Sequence, residues 1–183
     1  MLKIEEEKFR ADLAKRGLEL GESVTASRII NASGFDLWRM ISTPGQLHKY
    51  HPYCRTNQVI KWPGIGSRDL VDYYSGIRFQ RDFMYWRDGA GYDLQIGPPP
   101  RKSSWISWNI EALAPGKSLL SITVTPILES HILENVKKIF VRTYFGESIS
   151  VYLDSLLRGA DQFVTTGREV REKQFGPHPI YAP

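Results

Sequence analysis

The chain has 183 residues, 42% hydrophobic and 24% charged, enough apolar sequence for one globular core. Its single cysteine, Cys54, excludes an internal disulfide framework and a multi-cysteine zinc site and fits a reducing, cytoplasmic setting, while the lack of any run of about 18 apolar residues excludes an integral membrane helix. The 24 Lys and Arg against 20 Asp and Glu are dispersed along the chain and form no basic stretch, so no nucleic-acid partner is expected; the 12% aromatic content is the compositional feature that needs a physical explanation.

Leu2 to Arg16 places Leu2, Phe9 and Leu13 on one helical face, with Glu6 and Arg10 as an i,i+4 pair and Gly17 as a stop. The run ESVTASRIIN, residues 22–31, alternates as a strand. Ser33 then caps a helix carrying Phe35, Leu37, Trp38 and Ile41, ended by Thr43-Pro44, and a short helical turn spans Gln46 to Tyr50. Six strands follow, over residues 55–62, 67–74, 77–87, 92–96, 104–112 and 118–125, separated by short Gly and Pro turns. Together with the first strand they make an antiparallel α+β meander of about seven strands.

Residues 128–166 carry apolar side chains at three- and four-residue steps. A straight helix of that length would extend about 58 Å, beyond the roughly 40 Å diameter of a compact chain this size. A break near Tyr144-Phe145-Gly146 is therefore predicted. The Pro- and Gly-rich end, residues 167–183, is expected to be a loosely held tail, and residues 1–21 a separate amphipathic helix.

Antiparallel pairing sorts the sheet into faces. A two-residue turn at Ser75-Gly76 sets Tyr74 against Ile77, Asp72 against Phe79 and Leu70 against Arg81. The next hairpin adds Phe83, Tyr85, Tyr92, Leu94 and Ile96 to this inner face, and the last one groups Ile106, Trp108 and Ile110 with Leu120, Ile122 and Val124. The outer face then holds Tyr73, Met84, Trp86 and Trp105, an aromatic group suited either to the N-terminal helix or to a second subunit.

Three segments carry a family resemblance: VTASRIINASGFDLWRMI from Val24, WISWNIEALAP from Trp105 and VYLDSLLRGA from Val151. With the order of elements around them, they resemble the START-like superfamily, the helix-grip fold of polyketide cyclases, Bet v 1 type allergens and lipid-transfer domains. The similarity covers residues 22–166. It implies a curved sheet around a long C-terminal helix, enclosing a cavity for a hydrophobic or amphipathic small molecule; no cofactor or metal is expected. It does not imply one reaction.

Within that frame the expected ligand contacts are Asp72, Tyr74, Phe79, Arg81, Phe83, Tyr85, Tyr92 and Trp108. Asp72 and Arg81 are the polar pair on an otherwise apolar face. They form either a structural ion pair or an anchor in which Arg81 grips the polar end of the ligand. His48, His51 and Cys54 have metal-like spacing, but Pro52 interrupts them and no fourth ligand is near, so they read as a rim or surface cluster. Pro63-Gly64-Ile65-Gly66 lacks the rest of a phosphate-binding loop, and no nucleophile elbow is present. Three functions remain open: a binding protein for a hydrophobic molecule, a cyclase-like enzyme using the same cavity, and a homodimeric interaction module built on Tyr73, Trp86 and Trp105.

Overall fold

A computed structural model describes residues 3–183. Leu2 and the side chain of Glu6, expected to pair with Arg10, lie outside the described residues. Helix α1 (Lys3–Lys15) ends at Gly17, whose positive φ of 68° suits glycine. Strands β1 (Leu18–Leu20) and β2 (Val24–Ile30) precede helix α2 (Gly34–Ser42), where the Ser33 hydroxyl accepts the Asp36 N–H at 3.1 Å as the cap. A 3-10 turn at Leu47–Lys49 leads into the meander of β3 (Cys54–Lys61), β4 (Arg68–Tyr73), β5 (Arg78–Arg87), β6 (Gly91–Gly97), β7 (Ser104–Ala114) and β8 (Lys117–Glu129).

The strands form one antiparallel sheet, with β3 to β8 in chain order and both β1 and β2 on the far edge of β8. Among the described residues there are eight strands, Leu18–Leu20 adding one to the about seven expected. β8 runs on through Pro126 to Glu129, where a helix was expected to begin at Leu128, because Leu18–Leu20 supplies an extra partner strand. Pro126 sits where β1 gives way to β2, and its carbonyl accepts the Gly21 N–H at 2.9 Å. The proline's missing donor falls at that interruption in the neighbouring edge.

The expected helix break does not occur. Helix α3 (Glu134–Ile139) continues through a π-helical turn, Phe140–Phe145, into α4 (Gly146–Thr166), and Phe145 and Gly146 keep right-handed helical angles. The extra residue of the π turn is taken up at Gly146, whose N–H bonds the Val141 carbonyl. A Cβ at 146 would lie 2.8 Å from that carbonyl oxygen, so glycine permits the turn without interrupting the helix. A later start, at Glu134, shortens the whole rod to about 50 Å and removes much of the overhang that argued for a break.

Two local features change which side chains face inward. The β4–β5 loop has three residues, Tyr74–Ser75–Gly76, closed by Tyr73 N–H to Ile77 O at 2.9 Å, with Gly76 at φ 86°. The pairs are therefore Asp72 with Arg78, Val71 with Phe79 and Asp69 with Arg81. This one-residue difference from a two-residue turn exchanges the faces of β4, so Asp69, Val71 and Tyr73 point inward while Asp72 and Tyr74 point out. A bulge between Phe83 and Tyr85 does the same to the end of β5, turning Trp86 inward and Tyr85 outward. The β7–β8 pairs, Ile106 with Val124, Trp108 with Ile122 and Ile110 with Leu120, are those expected.

The outer aromatic group consequently dissolves. Tyr73 and Trp86 belong to the main core, and Trp105 is buried beneath Phe9 and Leu13 of α1, with the Phe9 and Trp105 rings 4.4 Å apart. The surface suggested for a homodimer is not an exposed aromatic patch. The tail is also packed rather than loose: His178 and Ala182 are fully buried and bond each other's backbone, and Ser75 N–H reaches Tyr181 O at 3.0 Å. Its prolines prevent a helix without preventing docking of His178, Tyr181 and Ala182.

Candidate functional site

The concave face of the sheet does not close fully on the helix. A cavity of about 270 Å3 remains, walled by Phe79, Ile96, Ile106 and Val124 from the sheet, Phe140, Phe145, Ile149 and Tyr152 from the helix, and Tyr181 from the tail. Ser103 and Ser104 are its polar fringe. The opposite end of the grip is filled by Trp38, Trp62, Phe83, Trp86, Tyr92 and Trp108. Their rings pack at 4.9 Å for Phe83 on Tyr92, 5.3 Å for Trp38 on Trp86 and 5.7 Å for Tyr92 on Trp108. Bulky rings thus plug one half of the interior and leave the other open.

Deeper in, a void of about 20 Å3 is bounded by His51, Arg81, Trp108, Leu153 and Leu156. That is room for about one water, which needs roughly 10–15 Å3. Tyr73 and Tyr152 border both spaces. Their hydroxyls lie 3.1 Å apart, and the Tyr152 hydroxyl lies 2.6 Å from Nε2 of His51. The turn that carries His51 fixes its ring, because the Tyr53 backbone N–H donates to His51 Nδ1 at 3.2 Å. Alongside, Tyr53 donates its own hydroxyl to Ser155 at 2.8 Å. Burial, reinforced by the Arg81 charge, lowers the His51 pKa to about 3. Burial raises Tyr73 and Tyr152 well above the usual phenol value and pushes Tyr181 up to about 12.

Arg81 is 6% exposed and Asp69 fully buried, and they form a two-pronged pair: Nε to Oδ1 at 2.8 Å and a terminal nitrogen to Oδ2 at 2.5 Å. Burial alone would lower the Arg81 pKa, but the Asp69 carboxylate more than offsets it and the guanidinium stays charged. The guanidinium lies 5.2 Å from the centre of the Phe83 ring. Asp69 uses two of its five N–H donors, and its neighbourhood opens onto the inner void.

Of the residues expected to touch a ligand, Phe79 lines the main cavity, and Arg81 and Trp108 line the inner void. Phe83 and Tyr92 are buried in the aromatic plug and border neither space. Asp72 points out of the grip and is half-buried, held by Arg78 at 2.6 Å and by Thr56 at 2.8 Å, and Tyr74 is 37% exposed. Tyr85 packs against Trp105 on the outer face. The anticipated Asp72–Arg81 pair is therefore Asp69–Arg81. His51 and Cys54 are buried rather than solvated, and burial raises the Cys54 thiol pKa to about 12. Among the described residues no three His, Cys, Asp or Glu side chains converge to hold a metal ion.

Sequence reasoning missed Tyr73, Tyr152, Tyr181 and Asp69. Tyr152 stands three residues after Ile149 on the apolar stripe of the helix, a signal that was available. Tyr181 follows no periodic pattern, and Tyr73 and Asp69 depended on a register that one loop residue decides.

Solved structures show the same arrangement of sheet and helix. XoxI from Bacillus cereus matches with a TM-score of 0.61 at 13% identity, covering 79% of this chain and 96% of that one. Norcoclaurine synthase from Thalictrum flavum matches with a TM-score of 0.58 at 13% identity over 79% and 94% of the two chains. The chain has the helix-grip fold. A third helix-grip structure, Ara h 8.0201, has a TM-score of 0.57 at 13% identity over 82% of this chain and 99% of its own. No protein-family model and no curated protein matches the helix-grip chain significantly. No helix among the described residues is long and apolar enough to cross a membrane.

Proposed function

We propose that this helix-grip protein binds a hydrophobic small molecule in the cavity between the sheet and the C-terminal helix, as a carrier or sensor in the cytoplasm. The observation that supports this most directly is the cavity itself: about 270 Å3, walled almost entirely by aromatic and aliphatic side chains and fringed by few polar groups. That is the usual make-up of a small-ligand site, with a volume just below the usual range of about 300–1,000 Å3. A dry cavity of about 150 Å3 holds a benzene, so this one suits a two-ring compound.

Catalysis in the same cavity, of the cyclase kind, is the second reading, because norcoclaurine synthase is by its name an enzyme of similar fold and Tyr73 and Tyr152 of the cavity wall are hydrogen-bonded to each other and, through Tyr152, to His51 behind it. Their ionisation argues for binding instead. An acid–base catalyst works best with a pKa near the working pH, whereas His51 is held near 3 and both tyrosines are raised. Native mass spectrometry of the purified protein tests the binding reading. A reproducible small-molecule adduct lost under mild collisional activation is expected; a bare chain that also fails to enhance N-phenylnaphthylamine fluorescence would contradict it.

A further inference from the structure

Counting hydrogens at the cavity wall narrows the ligand class. Three polar groups, His51, Tyr152 and Tyr73, share two contacts, imidazole Nε2 to Tyr152 and Tyr152 to Tyr73. The Tyr53 N–H points at His51 Nδ1, so Nδ1 carries the lone pair and the neutral ring has its hydrogen on Nε2. The first contact is therefore filled by the imidazole hydrogen, donated to the Tyr152 oxygen. The second is filled by one tyrosine hydrogen, from either ring. One hydroxyl hydrogen is left over. Among the described residues neither hydroxyl has a further partner, and both rings stand between the one-water void and the cavity, so the spare hydrogen reaches a cavity ligand directly or through that water. The opposite tautomer would have satisfied all three groups internally, with Tyr152 donating to His51 and Tyr73 to Tyr152. The backbone N–H of Tyr53 prevents it.

We infer that the Tyr73–Tyr152 pair is a hydrogen-bond donor aimed into the cavity, and that the ligand is an apolar ring compound carrying an uncharged acceptor oxygen, a ketone, quinone or lactone carbonyl. This rests on the binding reading above and deepens it. A buried donor left without an acceptor is costly, which disfavours pure hydrocarbons. Arg81, the expected anchor, is committed to Asp69 with its charge neutralised, so a carboxylate ligand gains less there than the sequence suggested. Burial holds His51 uncharged through the ordinary pH range, which keeps the donor direction fixed.

The test compares two bicyclic probes, α-tetralone and tetralin, which differ chiefly in a carbonyl. Each displaces N-phenylnaphthylamine from the intact protein, and the carbonyl stretch of bound tetralone is read by infrared difference spectroscopy. Tetralone is expected to bind roughly 3- to 10-fold tighter than tetralin, with its stretch shifted down relative to the ketone in hexane. The double variant Tyr73→Phe with Tyr152→Phe is expected to bring the two affinities together and abolish the shift while tetralin still binds. A structural role alone would change both affinities by the same factor. Equal affinities and an unshifted stretch in the wild-type protein would overturn the donor assignment and leave the binding reading standing. If neither ring compound binds, the binding reading fails, and this inference with it.

Discussion

Arg81 donates two hydrogen bonds to Asp69 where neither meets bulk water, whereas Arg78 donates a similar pair to Asp72 from a solvent-exposed guanidinium. Geometry is alike and environment is not, so the two aspartates respond differently to mutation. Removing Asp69 strands a buried guanidinium, and Asp69→Ala is expected to cost about 3–5 kcal/mol. Asp72→Ala is expected to cost about 1 kcal/mol or less, since the Arg78 guanidinium it leaves behind stays in solvent. Comparable losses in the two variants would contradict this assignment of the ion pair. His51 gives a second prediction at this scale. Its pKa is about 3 in the fold and near 6.5 in an unfolded chain. Between those values the unfolded chain holds the extra proton, so stability falls as pH falls, by about 1.4 kcal/mol per unit. His51→Gln is expected to show a shallower decline between pH 6.5 and 5 in urea unfolding; an unchanged slope would remove His51 from the acid response.

At the level of elements, α4 is held hard against the turn before β3. A Cβ on Gly159 would lie 2.1 Å from the Tyr50 carbonyl oxygen. Gly to Ala inside a helix ordinarily stabilises by about 0.5–1 kcal/mol. Here the sign reverses: Gly159→Ala forces the helix away from the turn and is expected to cost about 1–3 kcal/mol, measured by urea unfolding. A more stable variant would show that this contact does not hold the helix in place. The same scale shows what was legible in the sequence. The order of β2 to β8 and the β7–β8 faces followed from apolar alternation and turn residues, because a long hairpin with six matched inward side chains admits one register, whereas the three-residue β1 is too short to show a pattern. The β4 faces did not, since loops of two and three residues around Ser75-Gly76 are both good turns and only packing chooses between them. The bulge at β5 leaves no clear mark in a segment as aromatic as FMYW.

For the whole molecule, the aromatic content divides into a plug and a cavity wall, with a smaller cluster under α1. Apolar pattern identifies residues that face inward, but not which of them meet each other and which border empty space. Phe83 and Tyr92 therefore read as ligand contacts although other rings cover them. The tail completes the wall: Tyr181 packs 4.5 Å from the Tyr73 ring and 4.9 Å from the Tyr152 ring. Truncation after Phe175 is expected to lower Tm by on the order of 5 °C and to speed release of N-phenylnaphthylamine several-fold in stopped-flow measurements. Unchanged release would mean that the tail does not cover the cavity.

The most direct measurement of the central claim is an N-phenylnaphthylamine titration of the wild-type protein beside Ser104→Phe, whose added ring would enter the cavity from β7. The account predicts saturable one-to-one binding with blue-shifted emission in the wild type and at least tenfold weaker binding in the variant, with both proteins equally folded by circular dichroism. Equal affinity and stoichiometry in the two would place the probe elsewhere and contradict a ligand cavity between sheet and helix.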